Sequence, residues 1–292
     1  MSRSVLVTGA AGQLGRELLL TVPDGVHCHA RDRAALAVDD ADAVARALDV
    51  LQPVALINAA AYTAVDRAES EQAPAWAANA TAPGVLAAAC AARGVRMVHV
   101  STDFVFAGTA GRPYAPAAVP APLSAYGRSK LAGERALREV LPAAPLVRTG
   151  WVYSRHGGNF VLSMLRLMAE REELTIVADQ VGTPTWARGL ALVLWQLALD
   201  ARFTGTYHWS DAGVCSWYDF AVAIAEEAQR LGLLPRLPRL LPIPSEAWPT
   251  AARRPSYSVL DKTTTWRDLA IDGVHWRRQL RLMLRDLKEN GP

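Results

Sequence analysis

The chain has 292 residues, of which 51% are hydrophobic and 20% charged, and its formal net charge is +3 at pH 7. This composition excludes a disordered or fibrous chain and fits one large α/β domain, or a domain with a smaller companion. The arginines are scattered with no long basic tract, and the longest apolar stretch, GLALVLWQLAL, is too short to span a bilayer, so neither a nucleic acid nor a membrane is expected as a partner.

The chain opens directly on SVLVTGA, an apolar strand with no leader pattern ahead of it, and a helix follows from about Gln13 to Leu20. VHCHA is a second strand. DADAVARALDVL is an amphipathic helix with Asp at its start, where the helix dipole favours negative charge. PVALINAAA is a buried third strand. APAWAANATAPGVLAAACAARG is a long helical region ending at Gly94, with Pro83 expected to bend it. VRMVHVST is the fourth strand, a helix runs from Tyr126 to about Val140, and APLVRTGWVY is the fifth strand. Val- and Leu-rich strands separated by helices imply a parallel sheet buried on both faces, a Rossmann-like doubly wound α/β fold whose ligands bind beyond the strands' carboxyl ends.

The second half differs. NFVLSMLRLMAEREE, SWYDFAVAIAEEAQRLG and WRRQLRLMLRDLK are helices, with LTIVADQ and GTYHWS as short strand candidates. WARGLALVLWQLAL is expected to cross back onto the main sheet. The division is therefore residues 1–150 with about 186–212 as a dinucleotide-binding domain, and 151–185 with about 213–292 as a smaller α+β substrate lobe. Cys28, Cys90 and Cys215 are far apart and odd in number, without metal-ligand or redox spacing. They suit a reduced, cytoplasmic protein with no metal site.

TGAAGQLG follows the first strand and opens the first helix, placing Gly9, Gly12 and Gly15 at T-G-x-x-G-x-x-G spacing. Glycines there permit a tight turn and let the amides around Gln13 and Leu14 approach a pyrophosphate. Asp32 lies twenty residues after Gly12, at the end of the second strand. Its carboxylate can take the adenosine ribose hydroxyls of NAD, while flanking Arg31 and Arg33 can pair with the 2′-phosphate of NADP, so NADH and NADPH both stand. NAAAYTAVDRAES offers small residues after a strand, and Tyr62 and Thr63 can touch the nicotinamide side. STDFVF ends the fourth strand with Thr102 and Asp103; a hydroxyl there serves either to cap a turn or to bind a carbonyl oxygen.

Tyr126 and Lys130, in YGRSK, are four residues apart and share a helix face. This is either an ordinary helix start or a proton donor whose pKa the ammonium lowers. With a cofactor loop and a strand-end Thr, hydride transfer is the coherent reading. Tyr126 protonates a carbonyl oxygen, Thr102 holds it, and Lys130 lowers the tyrosine pKa and holds the nicotinamide ribose.

These residues resemble the extended short-chain dehydrogenase/reductase family. Within it, GAAGQLGREL, NAAAYTAVDRAES, STDFVF, YGRSKLAGE, RTGWVY, NFVLSMLRLMAERE, DQVGTPTWA and ARRPSYSVLD resemble the dTDP-4-dehydrorhamnose reductases over nearly the whole chain. The resemblance implies reduction of a nucleotide-sugar C4 ketone, dTDP-4-dehydro-L-rhamnose, by NADPH or NADH. It implies Thr102, Tyr126 and Lys130 as the catalytic set. It places the cofactor at Gly12, Gln13, Leu14, Asp32, Ala61, Tyr62 and Thr63, with Ala37 and Val38 near the adenine, where relatives often carry Asp in place of Ala37. It assigns Asp103 and Trp151 to the substrate and Asn79 to support of Lys130. Arg253 and Arg254 suit a diphosphate or surface salt bridges equally. Some relatives bind magnesium between paired glutamates at a dimer interface. Glu17 matches one such position, but Arg188 stands where another glutamate is expected, which argues against a metal-bridged dimer. A monomer or homodimer is expected. The rival readings are another nucleotide-sugar reductase or epimerase, and a non-catalytic subunit similar to the regulatory subunit of methionine adenosyltransferase.

Overall fold

The first half of the chain lays down strand and helix in turn. β1 (Arg3–Thr8) leads to α1 (Gln13–Leu20), and β2 (Val26–Arg31) to α2 (Ala41–Leu51). The computed structural model describes residues 3–291. Asp40 starts α2 by accepting the Ala43 amide at 3.0 Å, and Gln52 ends it in the left-handed conformation. β3 (Ala55–Asn58) is followed by α3 (Gln72–Trp76), a π turn over Ala77–Thr81, and α4 (Ala82–Ala91). The long helix expected here is therefore interrupted before Pro83, which sits in the first turn of α4, where a missing N–H is tolerated. β4 (Arg96–Thr102), α5 (Ala125–Val140) and β5 (Leu146–Thr149) complete this half.

The run expected as a single fifth strand breaks at Gly150 and Trp151. Trp151 has φ +50, so β6 (Val152–Tyr153) leaves the sheet. Next come α6 (Phe160–Glu170), β7 (Glu173–Val177), β8 (Val181–Gly182) and β9 (Thr185–Trp186). α7 (Ala187–Leu199) and β10 (Thr206–His208) follow, then β11 (Cys215–Ser216), α8 (Trp217–Arg230) and β12 (Arg239–Ile243). α9 (Thr263–Leu269) and α10 (Trp276–Asn290) end the described chain. Among the described residues, no helix is long and apolar enough to cross a membrane.

The main sheet has six strands in the order β10-β5-β4-β3-β1-β2, all pairs parallel. Side chains alternate between its faces. Val5, Val7, Ile57, Val98 and Val147 pack with Leu190, Leu194 and Trp195 of α7. Leu6, Leu56, Met97 and Leu146 pack on the opposite face with Leu48 of α2, Leu86 of α4 and Leu137 of α5. GTYHWS supplies β10, the edge strand beside β5, and α9 adds Trp266 and Leu269 to the α7 face. A second core gathers α6, α8 and α10 around Phe220, Met168 and Leu280, beside the parallel pair β7 and β12. The chain leaves β1 toward β2 on one side and returns to β3 on the other. Thr8, Asn58, Thr102 and Thr149 therefore end their strands around the switch point, where open α/β sheets bind ligands.

Candidate active site

The turn between β1 and α1 is built for close backbone approach. Gly9 has φ +71, and a Cβ there would lie 2.6 Å from the Ala59 and Ala60 backbone. A Cβ on Gly15 would overlap the Gly9 carbonyl and Ala10. The Gly12 amide closes the turn onto Gly9 at 3.0 Å, and among the described residues no side chain caps α1. The Gln13 and Leu14 amides therefore remain at a positive helix end, which suits an anion. Gln13 also reaches the second lobe, its amide donating to the Val152 carbonyl at 3.3 Å.

Asp32 is half-buried, and its Oδ1 accepts the Ala34 and Ala35 amides at 3.0 and 2.9 Å. Arg33 and Ala37 are exposed nearby, while Val38 packs partly on the α2 side of the core. On the next loop, Ala61 and Thr63 are exposed and Tyr62 is half-buried. Asn79 holds Tyr62 at both ends of its backbone, accepting from its amide at 2.9 Å and donating to its carbonyl at 3.0 Å. Asn79 also donates to Ser129 at 3.1 Å, the neighbour of Lys130. Asn79 thus clamps the Tyr62 loop onto the helix that carries Lys130. The π turn presents Asn79 inward, and Gly133 lets it approach α5, since a Cβ there would overlap the Asn79 carbonyl.

Thr102, Tyr126 and Lys130 converge and are all buried. Ser124 caps α5, its hydroxyl accepting the Gly127 amide at 3.1 Å, and Glu69 takes the Ala125 amide at 2.7 Å, fixing the turn that carries Tyr126. Thr102 lies beside the Tyr126 phenol, and its own hydroxyl donates to Asp103 Oδ1 at 3.1 Å. Ser258, buried as well, lies by the Asp103 carboxyl. Burial pushes Asp103 up to about 6, against the opposing influence of Ser258 and Thr102. Lys130 Nζ donates to the Val100 carbonyl at 2.8 Å. Burial lowers Lys130 to about 8, and the Glu134 carboxylate opposes that fall. The net shift of the tyrosine pKa is upward, not the expected fall. Burial raises Tyr126 to about 12, Thr102 works against this, and Asp103 adds to it.

A cleft of about 580 Å³ opens beside this centre, lined by Phe160, Met164, Leu174, Ile176, Trp217 and Trp248 with Asp66, Gln180 and Arg254 among its polar groups. It shares Gln180, Trp217 and Arg254 with a narrow recess bounded by Phe104, Trp151, Pro255 and Ser258, so the recess meets this centre at Ser258, beside Asp103. Trp151 stacks on Trp217 with centroids 3.5 Å apart, and Gly182 makes the room, since a Cβ there would lie 2.5 Å from the indole. Arg254 pairs with Asp66 at 2.8 Å across the cleft mouth, whereas Arg253 is exposed. Glu17 is fully buried, accepting Ser154 at 2.7 Å and Arg188 at 2.9 Å, and Arg188 also binds Asp286 at 2.7 Å. The arginine in place of a second glutamate thus neutralises Glu17 within the same chain. Among the described residues, no cluster of three His, Cys, Asp or Glu could hold a metal ion.

Asp66, Gln180, Trp217 and Ser258 were not singled out by sequence. Each lies inside a quoted run (NAAAYTAVDRAES, DQVGTPTWA, SWYDF, ARRPSYSVLD), but no local spacing separates it from its neighbours.

The RmlD substrate binding domain family matches residues 3–289. The dTDP-4-dehydrorhamnose reductase of Burkholderia thailandensis is 44% identical, covering 97% of this chain and 98% of its own. The dTDP-4-keto-6-deoxy-D-glucose reductase of Streptomyces niveus is 39% identical over 94% of each chain. Among solved structures, the dTDP-4-dehydrorhamnose reductase of Bacillus anthracis in complex with NADP has a TM-score of 0.92 at 34% identity, covering 98% of this chain and 100% of that one.

Proposed function

The chain belongs to the dTDP-4-dehydrorhamnose reductase family, and on that premise we propose that it reduces the C4 ketone of dTDP-4-dehydro-L-rhamnose to dTDP-L-rhamnose, with NADPH or NADH as reductant and Tyr126 as proton donor. The carrying observation is the buried cluster of Tyr126, Thr102, Asp103 and Ser258, which sets a phenol and an alcohol side by side at the carboxyl end of β4, next to the recess that opens into the aromatic cleft.

The chain's own residues fit a dinucleotide. Gly9, Gly12 and Gly15 with the Gln13 and Leu14 amides would hold its diphosphate, and Asp32 and Arg33 its adenosine ribose. Ala37 and Val38 would lie by the adenine, and Ala61, Tyr62 and Thr63 by the nicotinamide. The reduced nicotinamide supplies the hydride. Thr102 turns its hydroxyl from Asp103 to the ketone oxygen, and Tyr126 gives that oxygen its proton as the ketone becomes an alcohol. Lys130, held cationic near neutral pH, favours the phenolate left behind and would bind the nicotinamide ribose. Trp151 would pack on the sugar and Asp103 would hydrogen-bond it. Arg254 and Arg253 would meet the substrate diphosphate.

The test is NAD(P)H oxidation with dTDP-4-dehydro-L-rhamnose generated by coupled upstream enzymes, run in parallel with dTDP-4-keto-6-deoxy-D-glucose. The second substrate is included because the Streptomyces niveus relative is named for it. Turnover of the first substrate in preference to the second is expected. Cofactor binding without turnover of either would leave the non-catalytic subunit reading.

A further inference from the structure

Glu134 lies one turn beyond Lys130 on α5 and is almost fully buried, as is its partner Arg148 on β5. Arg148 grips it bidentately, Nε to Oε1 at 2.9 Å and Nη2 to Oε2 at 2.7 Å. Ser101, the residue before Thr102, donates to the same Oε1 at 2.5 Å. Arg148 is itself fixed by the Pro116 carbonyl at 3.2 Å and by the Phe106 ring, 5.1 Å below its guanidinium. One carboxylate therefore ties together three separate elements: the end of β4 that carries Thr102, the helix that carries Tyr126 and Lys130, and β5. A buried ion pair is a costly way to stabilise a core, since apolar side chains could fill the same space. Its value here is geometric and electrostatic.

We propose that Glu134 is a positioning residue for the reduction: with Ser101 and Arg148 it sets the spacing between Thr102 and the Tyr126–Lys130 face, and its negative charge keeps the Lys130 ammonium protonated. This rests on the roles given above to Thr102, Tyr126 and Lys130.

The other groups around Lys130 do not serve this purpose. On α5, Tyr126 is held neutral by burial and Arg138 is cationic. On β4, His99 is held neutral by burial, aided by the Lys130 and Arg138 charges, and Val100 offers only its carbonyl. The π turn contributes neutral Asn79, Glu69 is engaged at the Ala125 amide, and Asp103 faces Tyr126. Glu134 is the carboxylate whose charge opposes the effect of burial on Lys130.

The experiment is the pH profile of kcat for wild type, Glu134→Gln, Glu134→Asp and Ser101→Ala, with melting temperature and NADPH affinity measured alongside. Glu134→Gln should lower kcat at least several-fold. It should also move the alkaline limb down by about half a pH unit or more, because the ammonium loses its anion. The KM for the nucleotide sugar should stay within about twofold, since Glu134 does not line the cleft. Glu134→Asp keeps the charge and should restore the alkaline limb even where kcat stays low. Ser101→Ala should lower kcat with the limb unmoved. A folded Glu134→Gln with the wild-type limb, or equal limbs in the Gln and Asp variants, overturns the electrostatic role. A wild-type kcat in Ser101→Ala overturns the positioning role, and remains informative if Glu134→Gln does not fold. An inactive wild type would instead overturn the reductase reading itself.

Discussion

The hydroxyl of Thr102 is turned onto the carboxyl of its own neighbour, Asp103, at 3.1 Å. Two buried side chains at the end of β4 are thus coupled, and the protonation of one sets what the other can offer. While Asp103 is ionised it draws the Thr102 proton. When Asp103 carries its own proton, Thr102 is free to donate to a bound oxygen.

The buried carboxyl also leaves a signature in stability. Asp103 titrates near 6 in the folded chain against an ordinary value of 3.8. Below the lower value both folded and unfolded chains hold the proton. As pH rises between the two values the unfolded chain releases it and the folded chain does not, so stability is lost, by about 3 kcal/mol once pH exceeds 6. Asp103→Asn removes this titration. Its stability relative to wild type should rise by about 2–3 kcal/mol between pH 4 and pH 7, read from urea unfolding. An unchanged difference across that range would rule out burial as the dominant influence on Asp103.

Tyr126→Phe removes the proposed proton donor and leaves the ring packed against Phe104, 5.6 Å away. The rate should fall on the order of 100-fold or more, the scale of a lost general acid, with NADPH affinity within about twofold. Stopped-flow measurement of hydride transfer checks this. A near-wild-type rate would remove Tyr126 from its role.

Arg254 reaches Asp66 from a position 188 residues away in the chain. If its guanidinium meets the substrate diphosphate, Arg254→Ala should raise KM for the nucleotide sugar by about tenfold or more, the loss of a charge-assisted hydrogen bond. NADPH affinity should not change. Isothermal titration with dTDP, which carries the diphosphate without the sugar, isolates the contact; unchanged affinity would return Arg254 to a surface salt bridge with Asp66.

Gly15→Ala would drive a methyl into the Gly9 carbonyl and the Ala10 backbone. The turn must shift, costing about 1–3 kcal/mol of stability and weakening NADPH binding by more than about tenfold. Gly111→Ala is the control, because a Cβ there meets nothing within 4 Å. Fluorescence titration of NADPH on both variants decides; equal affinities would show that the cofactor does not depend on that turn.

Much of the fold is legible in the sequence because its signals are local. TGAAGQLG fixes a turn through three glycines, and each apolar run of the first half is long enough for one strand but not for a helix. The misreadings fall where local and tertiary preferences conflict. APLVRTGWVY reads as one continuous strand, yet Trp151 takes a left-handed backbone so that its indole can stack on Trp217. The alanine-rich stretch before Gly94 looks like continuous helix, yet a π turn at Ala77–Thr81 rotates Asn79 toward the Tyr62 backbone.

By itself the sequence determined the parallel sheet, the glycine turn and the pairing of Tyr126 with Lys130 on one helix face. The glycine turn and the Tyr126–Lys130 face depend on residues within a turn of one another, and the sheet on the local alternation of apolar strand runs with helices. Only the tertiary structure decided which groups those side chains meet. Ser258 reaches Asp103, Arg254 reaches Asp66, and Ser101 and Arg148 close on Glu134, because lobe docking and sheet order bring distant segments together. It also decided the protonation behaviour of the site. An ammonium one turn from a phenol predicts a lowered pKa in water, but inside the fold desolvation is the larger effect, and it raises Tyr126 while lowering Lys130.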